Sequence, residues 1–410
     1  MIKRTLINSD CITAMREMPD NSVDSIVTDP PYELGFMGKS WDSSGIAFNA
    51  EVWREALRVL KPGGHLLAFS GSRTYHRMAV AIEDAGFEIR DQIMWVYGSG
   101  FPKSHNISKA LDKIEGVAPT IVGERMAQGG ARKIKGTNAA ANKIPNSGSL
   151  EYDETIIYET TATSDIAKQW QGWGTALKPA HEPMVLARKP LIGTVANNVL
   201  TFGTGGLNID GSRVGRADDD VSKGGFGNGG IGIGAVGEDN GEGKNAEWVE
   251  STQDRWPANF IHDGSGEVNE LLGEPARFFY CAKASKRDRN EGLDGFEEIQ
   301  LTGGGGLTAE MREDGTLETA SAGGKYGSIK AKKANYHPTV KPTSLMQYLV
   351  RLVTPPNGTV LDPFMGSGST GKACAYEGFN FIGIDQSAEY VEIARARIEY
   401  ANQQIGEVEK

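Results

Sequence analysis

Val360-Leu361-Asp362-Pro363-Phe364-Met365-Gly366-Ser367-Gly368-Ser369-Thr370-Gly371 constrains the fold more than any other stretch of the chain. An apolar run ends in an aspartate, turns through glycines and opens into a helix, as a parallel strand does before its crossover. Glycines let backbone approach a ligand closely, and a helix N-terminus offers free N–H groups. The stretch matches G-x-G-x-x-G, and Asp385 closes the next strand where a ribose-binding carboxylate belongs. Taken alone, this pattern fits a nicotinamide dinucleotide, an adenosyl cofactor or a plain tight turn.

The rest of the chain narrows the choice. Residues 1–115 alternate strand and helix: a buried strand over 23–28 ends at Asp29, and a helix over 51–60 is followed by Gly63-Gly64. A strand over 65–69, a helix over 75–85 and a strand over 92–97 come next. The same alternation returns after Tyr336, with a helix over 343–353, strands over 359–362 and 379–385, and a last helix N-capped by Ser387. Between them, residues 120–335 are glycine-rich, nearly low-complexity over 222–243, with shorter ordered-looking pieces such as 181–187 and 276–282. The expected organisation is half a core over 1–119, an insertion over 120–335 and the other half over 336–410. A dinucleotide needs two similar mononucleotide halves, yet little chain follows Asp385, and the N-terminal strand ends in a different sequence. The dehydrogenase reading is disfavoured.

That different sequence is Asp29-Pro30-Pro31-Tyr32. Two prolines fix φ, remove two backbone donors and hold the preceding residues extended, so that carbonyls can point outward. An exocyclic base amine is a poor nucleophile because its lone pair is delocalised into the ring. If the Asp29 carboxylate and the Pro30 carbonyl each accept one of its N–H bonds, the nitrogen moves toward sp³ and the lone pair localises. Displacement at an electrophilic methyl group then needs mainly positioning and electrostatics. Tyr32 can stack on a base turned out of the helix.

Composition bounds the partners and the compartment. The 410 residues include 39% hydrophobic and 8% aromatic side chains, enough for a sizeable core. Three widely spaced cysteines, with no C-x-x-C pair, indicate neither a metal site nor a disulfide framework. No apolar run approaches the ~20 residues of a membrane span, and the expectation is a cytoplasmic protein. A net charge of −10 argues weakly against nucleic acid. Against that, basic residues gather at Arg132, Lys133 and Lys135, at Lys283, Lys286, Arg287 and Arg289, and at Lys330, Lys332 and Lys333.

Thr28-Asp29-Pro30-Pro31-Tyr32 with Gly35-Phe36-Met37-Gly38, then His337-Pro338-Thr339-Val340-Lys341-Pro342, then Asp362-Pro363-Phe364-Met365-Gly366-Ser367-Gly368 resemble the DNA amino-methyltransferases of bacteria and phages. The order, catalytic motif first and cofactor motif last, is similar to the permuted beta group. The likeness extends loosely to Lys178-Pro179-Ala180-His181-Glu182-Pro183. It implies a Rossmann-like α/β fold with a mostly parallel sheet, S-adenosylmethionine as cofactor and duplex DNA as partner. The insertion would carry target recognition, with its basic residues on phosphates. By the same resemblance, Asp362, Phe364, Gly366 and Gly368 hold the methionine part of the cofactor, Asp385 its ribose and Asp10 its adenine. Thr339 and Lys341 close the methionine end, and an aromatic near Trp95, Tyr97 or Phe101 packs the second face of the base. Asp before Pro-Pro-Tyr favours N6 of adenine over N4 of cytosine. No cysteine follows a proline, so C5-cytosine chemistry is not indicated. A homodimer and a separate cognate restriction endonuclease are compatible partners. The competing readings are N4-cytosine methylation, methylation of RNA or of a protein amide, and a DNA-binding module without activity.

Overall fold

The computed structural model describes residues 2–35, 40–98, 100, 104–118, 120–126, 156–215, 254–272, 278–296, 299–300, 308–311, 317–320, 332–333 and 335–408. Expectations resting on residues 36–38, Phe101, 132–135, 222–243, 303–306 and Lys330 lie outside these. By contacts between residues, the chain divides into two units, one of residues 1–98, 181–299 and 332–410, the other of 99–180 and 300–331.

The first unit is built on a nine-stranded sheet. In chain order its strands are β1 (Arg4–Asn8), β2 (Val23–Thr28), β3 (Leu60–Phe69), β4 (Glu88–Val96), β5 (His181–Arg188), β6 (Phe260–His262), β7 (Phe279–Tyr280), β8 (Thr359–Asp362) and β9 (Asn380–Asp385). Across the sheet they lie in the order β1-β9-β8-β2-β3-β5-β4-β6-β7. Only β5 runs against its neighbours; all other pairings in this sheet are parallel. The fold is therefore α/β with a mixed, mostly parallel sheet.

Both faces of the sheet are covered, so its central strands read as continuous apolar runs rather than alternating ones. Every residue of β2 is buried. Successive side chains go to opposite faces: Val27, Leu67, Met184 and Val360 join one core, and Ile26, Leu66, Val185 and Leu361 the other. The second core is closed by α1 (Cys11–Arg16), α2 (Ala50–Val59) and α3 (Tyr75–Asp84), through Met15, Trp53 and Ile82. The first is closed by α4 (Thr343–Val353), α5 (Ser369–Glu377) and α6 (Ala388–Val408), through Leu349, Cys374 and Ile398.

Two expectations are revised. Helix α2 stops at Val59, before Gly63-Gly64, because Leu60 is already extended at its C-cap. Lys61 precedes Pro62, and a residue before proline is driven out of the helical region. Strand β3 consequently starts at Leu60, and its register against β2 slips between Val23 and Ser25. Second, residues 181–299 cluster with the sheet rather than apart from it. Residues 184–187 bury side chains toward both cores, and this apolar run places β5 between β3 and β4.

The second unit holds the helix Ile107–Ile114, which packs on the helix Asp165–Gln169, and an antiparallel pair, Thr120–Met126 with Ile156–Thr161. The buried Asp112 carboxylate accepts from the backbone N–H groups of Thr163 and Ser164 at 3.0 and 2.9 Å, fixing the start of the helix Asp165–Gln169.

Candidate active site

Because eight strands point the same way, their C-terminal ends share one edge, where α/β folds hold ligands. Asp10 follows β1, Asp29 follows β2, and Asp362 and Asp385 end β8 and β9. Since β2, β8, β9 and β1 are consecutive neighbours in the sheet, four carboxylates are set side by side.

The glycine turn between β8 and α5 is held by these acids. Asp385 Oδ2 accepts from the Gly366 N–H at 2.9 Å and Oδ1 from Ser387 N–H at 2.8 Å. Asp362 is buried, accepting from the hydroxyls of Thr28 and Thr370, both at 2.6 Å, and from Phe364 N–H at 3.1 Å. Burial pushes the Asp362 carboxyl up to about 6 despite those donors, and it also raises Asp385. Asp362 thus ties the glycine turn to the strand end that leads into Asp29. Gly366 and Gly368 both have left-handed backbone, φ +51° and +78°. A Cβ at Gly366 would stand 2.7 Å from His337 Nε2, and one at Gly368 would stand 2.9 Å from the Cα of Ala394. Phe364 packs half-buried on the second core. Asp10 caps α1, accepting from Thr13 N–H at 3.0 Å, while Ser9 N–H donates to the Asp385 carbonyl at 3.1 Å.

The Asp29-Pro30-Pro31-Tyr32 loop is equally fixed. Thr74 Oγ1 donates to the Tyr32 carbonyl at 2.7 Å. Beyond it the Asp42 carboxylate accepts from Glu33 and Leu34 N–H, and Glu33 is held at φ +56°. The Tyr32 hydroxyl donates to Glu182 Oε2 at 2.7 Å. Lys341 Nζ lies 2.6 Å from Asp29 Oδ2 and 3.4 Å from Glu182 Oε2, and packs over the rings of Phe69 and Tyr32 at 4.8 and 5.2 Å. Asp29 Oδ1 is buried and accepts no hydrogen bond among the described residues. Burial raises the Asp29 carboxyl, and Lys341 opposes that shift without cancelling it. Burial alone would lower Lys341, but Asp29 and Glu182 outweigh it and hold the ammonium above its ordinary value.

The expected site residues therefore separate. Asp10, Asp362, Gly366, Gly368 and Asp385 gather about the glycine turn, and Asp29, Pro30, Pro31 and Tyr32 lie at the adjoining strand end. Thr339 is exposed. Lys341, expected at the methionine end of a cofactor, has its ammonium on Asp29 instead. Trp95 is core: it is buried, and its Nε1–H donates to the Cys281 carbonyl at 3.0 Å. Tyr97 packs edge-on against it, with Lys283 Nζ 3.6 Å from its ring centroid. Arg289, expected on phosphate, donates to the His337 carbonyl at 2.9 Å.

Two residues outside the expected set are integral here. Glu182, at the start of β5, receives the Tyr32 hydroxyl; its one sequence signal was its place in Lys178-Pro179-Ala180-His181-Glu182-Pro183. Arg397 is fully buried under the glycine turn, bonded to the Ser367 and Asp288 carbonyls. Among the described residues, no helix is long and apolar enough to cross a membrane, and no acidic, His or Cys group is arranged to hold a metal ion.

A family model described as DNA methylase, of the N6/N4 methyltransferase type, matches residues 23–190 and 237–396. Among sequence relatives, the type II methyltransferase M2.DpnII of Streptococcus pneumoniae is 44% identical over 72 residues, 18% of this chain and 27% of that protein. M.HpaI of Haemophilus parainfluenzae is 35% identical over 115 residues, 27% of this chain and 37% of that protein. The chain thus spans well under half the length of the curated relatives it matches. Among solved structures, the complex of M1.HpyAVI with SAM is 16% identical at a TM-score of 0.40, covering 96% of this chain and 98% of that one. The cytosine-N4-specific PvuII DNA methyltransferase is 12% identical at 0.44, covering 98% and 92%. The family match takes in both loops and most of the sheet between them, and the chain belongs to the N6/N4 DNA methylase family.

Proposed function

We propose that this protein transfers the methyl group of S-adenosylmethionine to the exocyclic N6 amine of an adenine in duplex DNA, the base having been turned out of the helix. The observation that carries this reading is the buried, unpartnered Asp29 Oδ1, one strand away from the glycine turn that Asp362 ties to the same edge.

The residues about that turn fit the cofactor. The missing side chains at Gly366 and Gly368 leave bare backbone next to His337 and Ala394. Each Asp385 oxygen accepts one N–H and retains lone-pair capacity for a ribose hydroxyl. His337 Nδ1 is buried without a partner beside the turn, and burial lowers this imidazole to about 3, so it is neutral at physiological pH. When bound, S-adenosylmethionine supplies an electrophilic methyl group.

The chain's own groups prepare the amine. Asp29 accepts one N–H bond and the Pro30 carbonyl the other, drawing the nitrogen toward sp³. Tyr32, tethered through its hydroxyl to Glu182, presents its ring to the base and keeps water from the reacting face. The N–C bond forms as the methyl–sulfur bond breaks, sulfur leaving as a neutral thioether, and the surplus proton of the amine passes to the Asp29 carboxylate and on to solvent. The insertion, residues 120–335, is the part that would read the target sequence, and Asp before Pro-Pro-Tyr favours adenine over N4 of cytosine.

Incubation of unmethylated duplex DNA with methyl-labelled S-adenosylmethionine, followed by nucleoside chromatography, tests the reaction. Label in N6-methyladenine is expected; label in N4-methylcytosine would change the base, and none in DNA would end the reading. Asp385→Ala should raise the dissociation constant for S-adenosylmethionine roughly tenfold or more, a loss of about 1.4 kcal/mol or above. Titration calorimetry giving an unchanged constant would remove the ribose role.

A further inference from the structure

The ammonium of Lys341 occupies one oxygen of the carboxylate assigned above to the target amine, and a second, half-buried carboxylate, Glu182, faces it as well. We propose that Lys341 and Glu182 are positioning residues for methyl transfer: Lys341 keeps Asp29 ionised and turns Oδ1 toward the amine, while Glu182 secures Lys341 and aims the Tyr32 ring. The inference rests on the reaction proposed above and assigns to it two residues that hold the reacting groups without touching the methyl donor.

A buried carboxylate without a cation drifts toward its neutral acid, and a neutral acid presents a proton where the amine needs an acceptor. Lys341 prevents this at 2.6 Å, with a side chain only 7% exposed, so solvent screens the pair little. By engaging Oδ2 alone it leaves Oδ1 as the free acceptor. Glu182 offsets the burial of the ammonium and fixes the Tyr32 hydroxyl with the same oxygen, Oε2, that faces Lys341.

Other charged or titratable groups around the pair are few. Asp362 adds a like charge from the neighbouring strand end, and His337, near Lys341, is neutral. Tyr97 and Lys283 interact with Glu182, and Asp263 with those two in turn.

The test is the pH dependence of single-turnover methyl transfer to PCR-amplified, hence unmethylated, genomic DNA. Wild type is measured alongside, so absence of any transfer by it would mark failure of the reaction itself rather than of this inference. Lys341→Met should move the acid limb of the rate profile to higher pH by about one unit or more, since an opposite charge at this range lowers a carboxyl by roughly 1–3 units. Lys341→Arg, which keeps the charge, should return the limb to its wild-type position. A Lys341→Met limb that coincides with wild type would overturn the proposal, as would a tenfold loss of S-adenosylmethionine affinity, which belongs to a cofactor contact. Should Lys341→Met fail to fold by thermal melt, Glu182→Gln decides. It removes a negative neighbour and reduces the Tyr32 tether to a neutral hydrogen bond, so the rate should fall about fivefold or more with no upward movement of the limb. An upward shift or an unchanged rate would overturn the proposal.

Discussion

Replacing Asp29 with alanine should lower the methyl-transfer rate by roughly 10³-fold or more while S-adenosylmethionine affinity stays within about threefold. Removing one preorganised group that meets charge in the transition state typically costs on the order of 10²–10³. Here the loss is compounded, because the variant also leaves the Lys341 ammonium without its nearest counter-charge and facing the amine as a donor. The cofactor's proposed contacts lie on Asp385 and the glycine turn, whose hydrogen bonds do not involve Asp29. Rate and affinity should therefore separate. Single-turnover transfer and calorimetric binding measured on the same preparation check this, and a variant that modifies DNA at the parent rate would remove Asp29 from the chemistry.

The second large effect concerns stability. Gly368→Ala should destabilise the protein by about 2–5 kcal/mol, from left-handed backbone strain of roughly 1–2 kcal/mol and overpacking of roughly 1–3 kcal/mol. The new methyl would stand 2.9 Å from the Cα of Ala394, and backbone of α6 cannot swing aside as a side-chain tip can. An internal control separates the two contributions. Gly378 has nearly the same backbone, φ +77° against +78°, but open space where a Cβ would go. Gly378→Ala should therefore show the strain alone, about 1–2 kcal/mol. Urea denaturation of both variants measures the difference; equal losses would mean that the contact between the glycine turn and α6 contributes nothing.

What could be read from the residues follows the range of the interactions involved. The glycine turn and the Asp-Pro-Pro-Tyr loop were legible because their signals are local: an apolar run, a breaker and a chemically loaded side chain within a dozen residues. Asp10 was expected at a cofactor's adenine; in the structure its side chain caps α1 through Thr13. Glu182 was passed over because its meaning depends on β5 inserting against the grain of the sheet, between β3 and β4, a placement decided by pairings to residues some 100 positions away. Lys341 was assigned by the company it keeps in sequence; its destination is set instead by the sheet edge, which brings Asp29 to it across 312 residues. The end of α2 was misplaced by weighting Gly63-Gly64 over the steric demand of Pro62. In the expected insertion, the ordered-looking piece at 181–187 is β5, but nothing local to it tells which sheet it joins.

The central claim is that two loops, far apart in sequence, form one reaction centre at the C-terminal edge of the sheet. Its most direct test is a crystal structure of the protein soaked with S-adenosylhomocysteine. The account predicts the ligand against Gly366 and Asp385 with its sulfur turned toward Asp29. A ligand bound away from the glycine turn, or seated there with its sulfur facing away from Asp29, would contradict it.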